Sequence, residues 1–106
     1  MKLELTSKER AQLRSEANDY ATIIQIGKDG ISPETIKVAD MALEARELIK
    51  LRTLDGAPVG TREAADMIAE RTDAGVVSVV GSRFILYRPS KKNKNISEKL
   101  KSKQKK

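Results

Sequence analysis

The residues best suited to chemistry lie in one stretch, Gln25-Ile26-Gly27-Lys28-Asp29-Gly30-Ile31-Ser32-Pro33. Gly27 and Gly30 let backbone N–H groups meet a ligand without side-chain obstruction, and Lys28 between them supplies a cation. Ser32 has N-cap chemistry, Pro33 suits a first helical position, and Glu34 favours the positive end of a helix dipole. An apolar run, Thr22-Ile23-Ile24-Gln25-Ile26, comes just before. A strand, a Gly-x-x-Gly loop and a helix start together make a place where an anion can approach backbone closely. Asp29-Gly30 is also a hairpin dipeptide. Pro33 argues against a hairpin, because it would spoil a returning strand while it helps a helix begin. Glycines between a strand and a helix are common, so the pattern alone gives a candidate anion site and no more.

Much other chemistry is excluded. The chain has no cysteine, hence no disulfide, thiolate nucleophile or thiolate metal site. It has no histidine, which removes the usual zinc sites, serine triads and the commonest general base. Its carboxylate pairs fall where solvated helix faces would put them. Neither G-x-x-x-x-G-K-[ST] nor G-x-G-x-x-G is present. The expectation is a protein without catalysis, cofactor or metal.

With 106 residues there is room for one domain with one core. No run approaches the eighteen or so apolar residues of a membrane span, and Met1-Lys2-Leu3-Glu4 lacks a signal-peptide core. The expected location is the cytoplasm, with no membrane partner. The net charge of +6 is uneven. From Pro89 onward eight lysines face only Glu98, whereas the other 88 residues hold thirteen cations and fourteen anions. The chain therefore divides into a domain over 1–90 and a basic, disordered tail over 91–106. Such a tail is either a solvated solubility segment or a non-specific attractor of nucleic-acid phosphates.

Elements that position the loop follow from capping signals and periodicity. Thr6-Ser7-Lys8-Glu9 has the capping-box spacing and starts a helix to about Asn18. A strand over Thr22–Ile26 leads into the glycine loop. A second helix runs from Pro33 to about Glu47, with Ile36, Ala39 and Leu43 on one face. In Leu48–Thr53 strict alternation puts Ile49 and Leu51 in the core, and Lys50 and Arg52 on an open sheet face. A third helix over Thr61–Thr72 carries the small stripe Ala64, Ala65, Ile68, Ala69. Val76–Val80 and Arg83–Arg88 flank Gly81-Ser82, a two-residue type II′ loop. That register sets Val79 against Phe84 and Val77 against Leu86. The fold expected is α/β, an α+β sandwich of order α-β-α-β-α-β-β, with a four-stranded mixed sheet and its helices on one face.

Three of these stretches resemble a known family. They are Gln25 to Ser32, Glu47-Leu48-Ile49-Lys50-Leu51, and Val80-Gly81-Ser82-Arg83-Phe84-Ile85-Leu86-Tyr87-Arg88-Pro89. In order and spacing, over about residues 5 to 90, the chain resembles the CRM domain (chloroplast RNA splicing and ribosome maturation), and within it the stand-alone YhbY-like proteins. The resemblance implies a fold similar to the C-terminal domain of bacterial translation initiation factor three. It also implies RNA binding and, as in stand-alone members, association with precursors of the large ribosomal subunit. The family's Gly-x-x-Gly loop, similar in role to the loop of KH domains that clamps backbone nucleotides, falls on Gly27, Lys28, Asp29 and Gly30. Its Leu-Tyr-Arg strand end falls on Leu86, Tyr87 and Arg88. Asn18-Asp19-Tyr20-Ala21 stands where many members carry a proline, and Asp29 places an anion inside the loop.

The residues can be weighed singly. Gly27 and Gly30 could serve backbone geometry alone. Lys28 has no evident structural task. Lys50, Arg52 and Arg83 are either solvated strand residues or, together, a basic sheet face beside the loop. Tyr87 either fills the core margin or stacks on a base, and Phe84 is assigned to the core. Arg88, Lys91 and Lys92 would extend the basic surface beyond the last strand. With aromatics at only 3%, phosphates and shape rather than base stacking should carry binding, with strong salt dependence. The expected function is a monomeric RNA-binding protein acting on ribosomal RNA as an accessory factor in large-subunit assembly. The alternatives are a protein-interaction adaptor with a lysine-rich solubility tail and, more remotely, a small phosphate-ligand protein.

Overall fold

The computed structural model describes residues 2–91 and residue 96. Seven elements follow in order: α1 (Ser7–Ala17), β1 (Thr22–Ile26), α2 (Pro33–Arg46), β2 (Leu48–Thr53), α3 (Thr61–Thr72), β3 (Gly75–Val80) and β4 (Arg83–Tyr87). Caps set the helix starts. Thr6 Oγ1 accepts the Glu9 N–H at 3.1 Å, and the Glu9 carboxylate accepts the Thr6 N–H at 2.9 Å. Ser32 and Thr35 make the same reciprocal pair at α2, with Pro33 just inside the helix. Among the described residues, no helix is long and apolar enough to cross a membrane.

The sheet is mixed and four-stranded, in the order β1-β2-β4-β3. β1 and β2 run parallel, and β4 pairs antiparallel with both β2 and β3. At the β3–β4 turn Gly81 has φ +60°, and Ser82 stays out of the left-handed region, as a type II′ hairpin requires.

One side of the sheet is covered by α2 and α3. Ile24, Ile26, Ile49, Leu51, Phe84 and Leu86 meet Ala39 and Leu43 of α2 and Ala64, Ala65, Ile68 and Ala69 of α3. The alanines let α3 lie close to the strands. The expectation of helices on one face only is corrected here. Leu13 and Ala17 of α1 pack with Leu48, Val77, Ile85 and Tyr87 on the opposite face. Leu48 shares that face with Lys50 and Arg52, so the strand is wet at one end and dry at the other. Alternation in Ile49–Thr53 reports only the wet part.

The β3 register also differs from the expected one. Val79 does pair with Phe84, but Val76 rather than Val77 pairs with Leu86, because the register shifts between Val76 and Ser78. The extra residue turns Val77 to the α1 side, where it is buried, and leaves Val76 against the α2/α3 core. A bulge of this kind has no signature in a run of valines.

The turn from α2 into β2 depends on Glu47, which is fully buried and has φ 67° and ψ −40°. This is a costly conformation for a non-glycine residue. Four bonds hold it. Its N–H donates to Leu43 O at 2.8 Å and its carbonyl accepts the Arg88 N–H at 2.9 Å. Its carboxylate accepts the Ser90 N–H at 2.6 Å and the Ile96 N–H at 2.8 Å. Ile96 itself is buried beside Leu13 and Tyr87, so the core takes a residue from beyond position 90. The rest of the expected tail, Lys92 included, lies outside the described residues apart from the exposed Lys91.

Glu47→Ala strips two buried N–H groups of a charged acceptor, and it should cost about 2–4 kcal/mol in urea unfolding. A loss under about 0.5 kcal/mol, as for an ordinary surface site, would contradict this role.

Tyr87 is 3% exposed, and burial first, then the Glu47 and Glu9 carboxylates, push its hydroxyl up to about 12. The unfolded chain loses that proton near pH 10 while the folded chain keeps it, so stability falls as pH rises from about 10 to 12. In Tyr87→Phe the fall over this window should be shallower when unfolding midpoints are compared at pH 9 and pH 11.

Candidate nucleic-acid interface

Strand directions determine which loops meet. β1 and β2 end side by side, with Ile26 opposite Thr53, and Arg83 opens β4 opposite Arg52. The Gly27–Gly30 loop, the 54–60 loop and the Gly81-Ser82 turn therefore emerge at one end of the sheet. The first two are tied together: Leu54 N–H donates to Ile26 O at 2.8 Å, and Gly30 N–H closes the glycine loop onto Gly27 O at 3.0 Å.

The two glycines have different duties. Gly30 is buried with φ +68°, and a Cβ there would stand 2.8 Å from Pro58 Cγ. Gly27 has no such φ, and its nearest neighbour would be Leu54 Cδ1 at 3.9 Å. Space alone does not require glycine at 27. Lys28 and Asp29 form the exposed tip, and the Lys28 stem passes beside Gly56. Among the described residues Lys28 has no ion-pair partner.

Beside this loop lies the wet part of the sheet. Gln25, Arg52, Arg83 and Val80 form one rung across β1, β2, β4 and β3. Arg52 and Arg83 are direct cross-strand neighbours, an arrangement that repels when nothing anionic intervenes. Neither has a carboxylate partner among the described residues, and the buried Arg52 Nε has no acceptor. Lys50, two residues back on the same face, makes only a long bond from Nζ to Asn18 O at 3.4 Å. Three cations, Lys50, Arg52 and Arg83, thus share one face next to the glycine loop.

Other expected site residues lie elsewhere. Tyr87 occupies the core margin, the first of its two alternatives. Arg88 points to the α2 side, where its guanidinium bonds Asp40 Oδ1 at 2.5 Å, Thr72 O at 2.8 Å and Asp40 O at 3.1 Å, with Glu44 Oε1 at 3.5 Å. These bonds clamp the end of β4 to α2 and to the last turn of α3. With Lys91, Arg88 stands at the end of the sheet away from Lys28, and it is five residues or about 17 Å beyond Arg83 along the chain of β4. The expected continuous surface from Lys28 through Arg88 to the tail is therefore not formed by the described residues. No group of three potential metal-ligating side chains occurs among them.

The CRS1 / YhbY (CRM) domain profile matches residues 5–88. The chain belongs to this family. It is 37% identical over 92 residues to the Bacillus subtilis "Probable RNA-binding protein YqeI", covering 87% of this chain and 96% of that one. The Methanocaldococcus jannaschii "Probable RNA-binding protein MJ0652" is 38% identical over 90 residues, 83% of this chain and 66% of the relative. A Haemophilus influenzae protein named "RNA-binding protein" is 29% identical over 91 residues, 85% of this chain and 91% of that one. The solution structure of the Staphylococcus aureus protein SAV1595 superposes with a TM-score of 0.74 at 43% identity, covering 88% of this chain and 97% of that one. The fold is thereby shared with that structure over 88% of this chain.

Gly30→Ala forces an L side chain into a positive φ against Pro58, and it should lower stability by about 1–3 kcal/mol. Gly27→Ala should unfold within about 0.5 kcal/mol of the parent. Equal effects in thermal melts would contradict this division of labour.

Proposed function

We propose that this CRM protein binds RNA, without catalysis or cofactor, through the Gly27–Gly30 loop and the adjoining face of Lys50, Arg52 and Arg83. The observation that carries the reading is the Arg52–Arg83 rung, two arginines paired across β2 and β4 with no carboxylate partner among the described residues, beside an exposed Lys28. An anionic backbone relieves that repulsion, and the glycine turn, closed by the Gly30 N–H on Gly27 O, holds Lys28 exposed at its tip to add a third cation. The names of the Bacillus, Methanocaldococcus and Haemophilus relatives agree with an RNA partner. Asp29 opposes phosphate at the loop tip, so Lys28 and the sheet cations carry the attraction. Counterion release makes the binding salt-dependent, and the lysine-rich tail adds a sequence-independent share.

The finer reading is that the RNA is ribosomal, and that the protein acts in the cytoplasm as a monomer, an accessory factor on large-subunit precursors. Sedimentation of lysate through sucrose, with and without RNase, tests it. Co-migration with large-subunit precursors that RNase abolishes supports the assembly role. A peak among free proteins in both lanes favours the protein-interaction adaptor instead.

Lys28→Glu should weaken binding of a structured RNA by about tenfold or more without changing the melting temperature, since the side chain is exposed and unpaired among the described residues. Removing residues 101–106 keeps Ile96 and its bond to Glu47 while deleting four lysines. That truncation should weaken all RNAs alike and flatten the salt slope. If truncation abolished binding and Lys28→Glu changed nothing, the tail rather than the loop would be the binding element.

A further inference from the structure

Three aromatic residues occur in the whole chain, Tyr20, Phe84 and Tyr87. Phe84 and Tyr87 are buried at 1% and 3% exposure, which leaves Tyr20 as the aromatic ring that solvent can reach. It does not stand alone on the surface. Tyr20 lines a half-open pocket of about 180 Å³ between the end of α1 and the starts of β1 and β2, together with Ile23, Arg46, Leu48 and Lys50. The floor is apolar and the rim carries two cations. Ile23 is 38% exposed there. The Tyr20 hydroxyl reaches Glu16 Oε2 at 3.5 Å, outside the lining, which restrains the ring. Lys50 spends one donor on Asn18 O and keeps others for a ligand.

We propose that this pocket receives one unstacked nucleobase, stacked on Tyr20 and packed on Ile23, with the attached phosphate held by Arg46 and Lys50. The inference rests on the RNA-binding reading and extends it. Lys50 belongs both to the pocket and to the basic face, so one strand of RNA can pass from one to the other. β1, five residues or about 16 Å long, separates the pocket from the Gly27–Gly30 loop. The loop end, with Lys28 at its exposed tip, takes backbone, and the pocket end takes a base. An aromatic surface flanked by cations is the usual platform for single-stranded nucleic acid. Such a pocket discriminates RNA with a splayed-out nucleotide from a continuous duplex, whose bases are all stacked and paired.

The test is fluorescence anisotropy with two labelled RNAs of equal length, a hairpin with an unpaired loop and a fully paired duplex. Tyr20→Leu keeps apolar bulk and removes the ring face. It should weaken hairpin binding about 5- to 150-fold, the size of one base–aromatic stack, and leave duplex binding within about twofold. Tyr20→Phe should match the parent on both RNAs. Ile23→Ser, a neutral change at an already exposed position, should reproduce the selective loss and guards against a Tyr20 variant that fails to fold. If the Tyr20→Leu and Ile23→Ser proteins melt normally and lose affinity for both RNAs equally, or for neither, the pocket is not a base site and the basic-face reading survives. A parent protein that binds neither RNA overturns both.

Discussion

Parallel pairing of β1 with β2 is the constraint on which the rest of the architecture depends. A parallel neighbour demands a crossover, so α2 must leave the end of β1 and return to the start of β2. That excursion creates the Gly27–Gly30 loop at one end of the sheet and the Arg46–Glu47 turn at the other. β4 then pairs antiparallel to β2, which brings Arg83 to the glycine-loop end and Arg88 to the opposite end. The distribution of charge over the molecule follows from strand direction more than from local sequence.

The far end shows how the acidic side of α2 is used. Asp40, Glu44 and Glu47 receive Arg88, Ser90 and the backbone at Ile96. Glu47 is a buried carboxylate in a strained backbone position, tolerable because hydrogen bonds fix it from several sides. Arg88, only 16% exposed on its side chain, is anchored by two carboxylates and two carbonyls. These residues keep the sheet end closed beneath α2, whereas Lys28, Arg52 and Arg83 at the opposite end have no ion-pair partner among the described residues.

Much of the fold was legible from local signals, because those signals are themselves local. Thr6 with Glu9 and Ser32 with Pro33 announce helix starts, Gly81-Ser82 announces a II′ turn, and Ile49 with Leu51 marks a buried strand face. Three features were not. The α1 helix covers the second face through Leu13 and Ala17, too short a stripe to reveal which side it would choose. The β3 bulge sends Val77 across the sheet, and valines suit either face. Arg88 is clamped by Asp40, 48 positions away, and a basic residue after a strand reads equally well as a ligand for phosphate. In the candidate site, Lys28, Lys50, Arg52 and Arg83 were readable because alternation and turn chemistry place them. Tyr20 and Arg46 were not, since only the crossover brings the end of α1 beside the end of α2.

The central claim is that RNA lies on the open face at the glycine-loop end. The most direct measurement is the map of backbone amide shifts in the 15N-labelled protein as a fully paired RNA duplex, which does not use the Tyr20 pocket, is added. The account predicts that the largest changes cluster at residues 25–30, 50–54 and 81–83, and that they fade as salt is raised. Changes confined to the exposed side of α2, around Val38 and Met41, would contradict it, and a tail-only response would contradict it equally.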